Sequence, residues 1–183
     1  MSNAMSVLEG VVSSGFVTVR DAGLTGMVSV RADLTDAATV AALASCGITV
    51  PAVRQIVDGV AWMAPDEVLL VTEYADAPAL AQKVQAAMAD THALVHVVSD
   101  ARAVLRVEGA GTKEALAKLC PVDLATLAPG EVRRTRLAQV AAAFWLEDAE
   151  NAQIICFRSV ADYVFGALQM SARKGSEAGV FTR

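Results

Sequence analysis

From Met27 onward the order of apolar and polar residues switches between a period of two and a period near four. "MVSVRADL" (27–34) sets Val28, Val30, Ala32 and Leu34 against Ser29, Arg31 and Asp33, the alternation of a half-buried strand. Thr35 can then cap a helix over 36–45, which Gly47 is placed to end. "RQIV" and "VAWMA" flank Asp58-Gly59, a dipeptide suited to a primed hairpin turn, and Pro65-Asp66 turns the chain into "EVLLVT". Over 77–89, Leu80, Val84 and Met88 share one helical face, while Gln82, Lys83 and Gln85 point to others. "ALVHVV" and "AVLRVE" read as further strands. Gly109 to Gly111 then turn the chain into a helix from Thr112 with Ala115, Leu116 and Leu119 inward. "TRLAQVAAAFWL" and "AQIICFR" are expected to form one long hairpin over the acidic turn "EDAEN". A last helix is expected from Ser159, in a capping-box variant whose hydroxyl meets the amide of Asp162 while that carboxylate favours the positive helix end.

Before Met27 the periodicity is weak and glycines recur, so 5–26 is expected to be an N-terminal arm with at most one short strand, "FVTVR". Residues 1–4 read as an expression-tag remnant ahead of Met5, and 173–183 as a C-terminal tail. Between them, 27–172 is expected to form one α+β domain of two subdomains, about 27–98 and 99–172. Strands grouped around helices, joined by hairpins too short for crossovers, imply two ferredoxin-like halves, each a mainly antiparallel sheet with helices on one face.

Composition adds a partner surface. With 55% hydrophobic residues and a mean hydropathy of +0.46 the chain is too apolar for disorder, and a partner or a homo-oligomer of the isolated chain would cover the excess. A net charge of -5 and a pI near 5.0 supply no basic field for a polyanion, so nucleic acid is not an expected partner. The longest uncharged run, 37–53, contains Gly47 and Pro51 and falls short of the about 20 residues that span a bilayer, so no membrane contact is expected. Cys46, Cys120 and Cys156 are odd in number and far apart, which suits reduced thiols and a cytoplasmic location.

The candidate chemistry is sparse. In "ALAKLCPVDL" (115–124), Pro121 biases Cys120 away from helical geometry and Asp123 can cap the following turn, so the motif explains itself as the end of a helix. A helix C-terminus also disfavours a thiolate at Cys120. His92 and His96 are two potential ligands where zinc wants three or four. "VEGAGTKE" opens like a dinucleotide fingerprint, but Glu114 replaces the third glycine with a negative charge. Arg133, Arg134 and Arg136 form the one basic cluster, read as a charged strand edge or a contact for an acidic partner. Trp62, Phe144, Trp145, Tyr163 and Phe165 read as core or interface anchors. No serine, histidine and acid stand in an order that would build a catalytic triad, and no catalytic, cofactor-binding or metal residue is assigned.

Five segments carry a resemblance: "APDEVLLVTE" (64–73), "SDARAVLRVEG" (99–109), "LAKLCPVDL" (116–124), "RTRLAQVAAAFW" (134–145) and "FRSVADYVFGAL" (157–168). In this order the chain resembles the gamma subunit of heterotetrameric sarcosine oxidase over about 26–172. The most specific parts are the turn around Cys120, Pro121 and Asp123 and the stretch holding Arg158, Ser159, Asp162 and Tyr163. That family is similar in turn to the folate-binding domain of the glycine cleavage T-protein. The resemblance implies a non-catalytic chain that supports assembly with alpha, beta and delta subunits, and an isolated chain that is inactive. FAD, FMN, NAD, tetrahydrofolate and zinc are implied for those partner subunits and none for this chain. The complex would demethylate sarcosine oxidatively to glycine, pass the one-carbon unit to tetrahydrofolate and reduce oxygen to hydrogen peroxide. The alternative is a free-standing folate-binding one-carbon transfer protein of the T-protein type. Against it, the Asp-x-Ser of folate-binding relatives is here Asp100, Ala101 and Arg102, which makes Asp100 an expected turn residue.

Overall fold

The computed structural model describes residues 4–181; most of the expected tag remnant and the last two residues of the expected tail lie outside them. In chain order the elements are β1 (Val12–Ser14), β2 (Thr18–Asp21), β3 (Gly26–Arg31), α1 (Ala37–Ser45), β4 (Ile56–Val57), β5 (Val60–Ala64), β6 (Glu67–Thr72), α2 (Ala77–Ala87), β7 (Leu94–Val97), β8 (Arg102–Glu108), α3 (Thr112–Ala117), β9 (Val132–Leu137), β10 (Val140–Leu146), β11 (Asn151–Phe157) and α4 (Ala161–Ser171). Short 3-10 turns at Ser99–Ala101 and Arg158–Val160 precede β8 and α4. The chain divides into two compact units, Thr25–Asp100 and a second made of Met1–Leu24 with Ala101–Arg183. The protein is α+β, and every strand pair within its two sheets is antiparallel.

In the unit Thr25–Asp100 the five-stranded sheet runs β4-β5-β6-β3-β7. Taken in chain order as first to fourth, β3, β5, β6 and β7 stand side by side as 4-1-3-2, with α1 and α2 as the two connections: a ferredoxin-like unit. Asp58 and Gly59 adopt φ of 48° and 76°, the primed turn that matches strand twist. The helices cover one face of the sheet, and the buried Val28, Val30, Val68 and Leu70 pack there with Leu43, Ala77, Ala81 and Val84. Burying each aliphatic side chain of this size is worth about 1.5–3 kcal/mol, which fixes the register. The helix cap is Asp36 rather than Thr35: its carboxylate accepts from the Thr39 N–H at 2.9 Å. Thr35 is held outside the helix because its own N–H and hydroxyl donate to Asp33 Oδ1 at 2.9 and 2.6 Å.

The second unit carries a six-stranded sheet in the order β1-β2-β8-β11-β10-β9. Here β8, β10 and β11 take the first, second and third positions of the same 4-1-3-2 arrangement, and the fourth position is filled by β2 from the N-terminal segment. The expected arm over 5–26 is therefore corrected: β1 and β2 form a hairpin, and β2 pairs with β8 from Thr18↔Glu108 to Asp21↔Leu105. The β2 strand is held by Val19 and by Val17 just before it, buried with Leu105, Leu116, Phe144, Ile154 and Leu168 under α3 and α4.

Two other expectations change. "TRLAQVAAAFWL" is two strands, because Ala138 takes a φ of 50° and breaks the run between β9 and β10. The turn is fixed from outside, where the Ala138 N–H donates to the Leu119 carbonyl at 2.7 Å. The Ser159–Asp162 capping box does not form. The chain enters α4 through the 3-10 turn, which puts Ser159 inside a helical turn instead of in the extended cap conformation, and neither end residue supplies a side-chain cap.

Candidate functional site

The Cys120 turn follows from its local sequence. α3 ends at Ala117, ahead of Cys120, and the Cys120 thiol donates to the Leu116 carbonyl at 3.1 Å. Cys120 is buried, and desolvation pushes its thiol up to about 11, so the nucleophilic form is disfavoured. Cys156, also buried, is pushed up to about 11 by burial against the opposing pull of Arg102. Asp123 accepts from the Ala125 N–H at 3.0 Å, closing the turn after Pro121 as expected. Pro121 itself is exposed at the start of that turn.

The other motifs are occupied locally. The buried Glu114 carboxylate accepts from the backbone N–H groups of Ala178 and Gly179 and lies 3.8 Å from Lys118, so it ties down the C-terminal segment. Asp100 accepts from the Tyr74 hydroxyl at 2.8 Å within the 3-10 turn, which is the turn role expected for it. His92 precedes β7 and His96 lies within it, both exposed. Among the described residues no group of three His, Cys, Asp or Glu is gathered to hold a metal, and every buried side-chain nitrogen and oxygen has a hydrogen-bond partner.

The arginine cluster lies on β9, the outer strand of its sheet. Arg133 pairs with Glu131 at 2.6 Å, and Arg136 donates to the Gln139 carbonyl at 3.1 Å across the Ala138 turn. Arg134 stands opposite Ala143 of β10. The row thus charges one sheet edge, a placement that discourages pairing with further strands.

Trp145 of β10 is 4% exposed, so it is a buried residue and offers no contact surface here. The candidate residues in the 3-10 turn and the first turn of α4 are at least partly exposed. Arg158 donates to the Met5 carbonyl at 3.2 Å, Ser159 and Asp162 are exposed, and Tyr163 is 45% exposed. The same helix shapes a feature that motif reading missed: a cleft of about 460 Å³ lined by Ser13, Ser14, Gly15, Gly166, Gln169, Met170, Arg173 and Lys174. Gln169 donates to the Ser13 hydroxyl at 3.1 Å across it. Its sequence signals are Gly166, placed in a helix interior, and the paired cations that follow the helix.

The comparisons decide the family. The sarcosine oxidase gamma subunit family profile matches residues 31–174. Sarcosine oxidase subunit gamma of Corynebacterium sp. strain U-96 is 31% identical over 163 residues, covering 85% of this chain and 78% of that protein. The chain belongs to the sarcosine oxidase gamma subunit family. Among solved structures, a chain of the heterotetrameric sarcosine oxidase from Corynebacterium sp. U-96, in complex with pyrrole 2-carboxylate, superposes with a TM-score of 0.78 at 29% identity, over 85% of this chain and 83% of that one. The glycine cleavage system aminomethyltransferase T from Bartonella henselae shares the fold, with a TM-score of 0.63 at 12% identity over 88% of this chain. The chain spans about half of that structure, 48%. No helix among the described residues is long and apolar enough to cross a membrane.

Proposed function

We propose that this chain is a non-catalytic gamma subunit of a heterotetrameric sarcosine oxidase, supporting assembly of the flavin-bearing chains in the cytoplasm. The observation that carries the reading is its 31% identity to a curated gamma subunit over most of both chains. The local chemistry agrees: the Cys120 thiol is buried and protonated, and Asp100, Glu114 and Asp123 spend their carboxylates on Tyr74, on backbone amides and on a turn. In this reading alpha, beta and delta subunits are the partners and carry FAD, FMN, NAD, tetrahydrofolate and zinc. The whole complex oxidises sarcosine to glycine, transfers the one-carbon unit to tetrahydrofolate and reduces oxygen to hydrogen peroxide.

Co-expression of the other three subunits with and without this chain tests the role. The expected result is a lower yield of assembled complex, with less bound flavin and slower sarcosine oxidation, when the chain is omitted. Equal yield, flavin content and turnover in both preparations would overturn it, as would sarcosine oxidation by this chain alone.

A further inference from the structure

We infer that the cleft between β1 and α4 is a docking groove for an extended, acidic segment of a partner polypeptide, which adds to the sheet as a strand beside β1. The inference rests on the assembly role proposed above and names the surface through which it would act.

The six-stranded sheet has two outer strands of opposite character. One edge, β9, is charged by Arg133, Arg134 and Arg136. The other, β1, runs through Val11, Val12, Ser13, Ser14 and Gly15 without a charge. Its odd-numbered residues turn their backbone toward β2: the Gly15 N–H donates to the Val17 carbonyl and the Asp21 N–H to the Val11 carbonyl, each at 2.9 Å. The alternation of a strand therefore aims the N–H and C=O groups of Val12 and Ser14 away from the sheet. β1 is only three residues long, but it carries none of the charges with which edges are otherwise blocked, so its unpaired groups remain open to strand addition.

The helix wall of the groove repeats the message. Gly166 sits in the interior of α4, where glycine is less favourable than alanine, yet a Cβ placed there meets nothing within 4 Å. The fold itself has room for a side chain at this point, and the glycine leaves that space open to an incoming chain. Beside it Met170 is 70% exposed, an adaptable apolar side chain suited to cover a partner residue. At the end of the groove Arg173 and Lys174 are exposed and form no ion pair among the described residues. Two cations without an ion pair among the described residues, on a chain of net charge -5, select an occupant with carboxylates at that end. Strand pairing supplies the backbone contacts, the helix wall at Gly166 and Met170 takes an apolar side chain, and the cations set direction.

The test uses the full chain co-expressed with the other three subunits, followed by dilution of the purified complex on a sizing column. Gly166→Trp fills the groove, and the double change Arg173→Glu with Lys174→Glu reverses its charged end. Each is expected to raise the dissociation constant of this chain from the complex at least about tenfold. Both isolated variants should melt with the wild-type chain, which separates lost docking from lost folding. Wild-type retention of both folded variants would overturn the groove while leaving the assembly role intact. A wild-type chain that never co-elutes with the other subunits would overturn the assembly role itself, and the groove with it. Self-association of the isolated wild type that Gly166→Trp abolishes, with normal entry of the variant into the complex, would also overturn it, because the occupant would then be a second copy.

Discussion

Asp123 and Cys120 lie in the same turn and stabilise it by different means. The Asp123 carboxylate is exposed and holds the Ala125 N–H, so removing it costs one local hydrogen bond and no packing. Asp123→Ala should lower stability by about 0.5–1 kcal/mol, measured as a fall in the midpoint of urea unfolding with an unchanged slope. Loss of more than about 3 kcal/mol would mean that the turn anchors packing beyond its own hydrogen bond. Cys120 acts through burial and a bond to the Leu116 carbonyl, as a small hydrophobe with one satisfied donor. The Asp123 turn and the end of the helix at Cys120 were legible in the sequence because each depends on near neighbours, whereas the burial of Cys120 is set by the tertiary core around it. The Ser159–Asp162 box looked equally local and failed, since the backbone entering α4 from β11 is already helical at Ser159. Side-chain spacing permits a cap, but the preceding strand decides the dihedral angles it needs.

At the scale of elements, the strands whose registers follow from alternation and turn chemistry were readable: the Asp58-Gly59 turn and β6 lie where the pattern puts them, while β3 ends at Arg31, short of the alternation that runs to Leu34, and β4 keeps only Ile56 and Val57 of "RQIV". The division of β9 from β10 was not readable, because Ala138 and Gln139 are neither glycine, proline nor asparagine. The turn there is imposed by the bond from the Ala138 N–H to Leu119. A left-handed alanine costs about 1–2 kcal/mol, and glycine removes that cost while adding roughly 0.4–1 kcal/mol of unfolded-chain entropy. Ala138→Gly should therefore raise stability by about 0.5–1 kcal/mol, seen as a higher melting temperature. A lower one would show that the Ala138 methyl, or its effect on the unfolded chain, outweighs the strain. The same division explains the arginine row, which falls on a separate outer strand.

For the whole molecule two of the three buried thiols, Cys120 and Cys156, predict a dependence on alkaline pH. Cys120 and Cys156 have ordinary values of 9.0 and rise to about 11 in the fold because burial penalises the thiolate. Well below pH 9 both folded and unfolded chains keep their thiols protonated, and the contribution to stability is complete. Between about 9 and 11 the unfolded chain releases protons that the folded chain retains, so stability falls with rising pH and levels off above. Urea unfolding at pH 8 and pH 10 should show a smaller loss in the Cys120→Ala, Cys156→Ala double variant than in the parent chain. Equal losses would place the titration on other groups. By itself the sequence determined the class of fold, the turn at Cys120 and the family to which these segments belong, because all of these reside in local patterns and residue order. Tertiary structure alone decided that the N-terminal segment completes the second sheet, since its pairing of Thr18 with Glu108 joins residues far apart in the chain and leaves no short-range trace. It also decided where the uncharged edge and Gly166 meet. A cleft is made by the approach of two elements, and hydrogen-bond pairing across such distances depends on the packed core that holds them together.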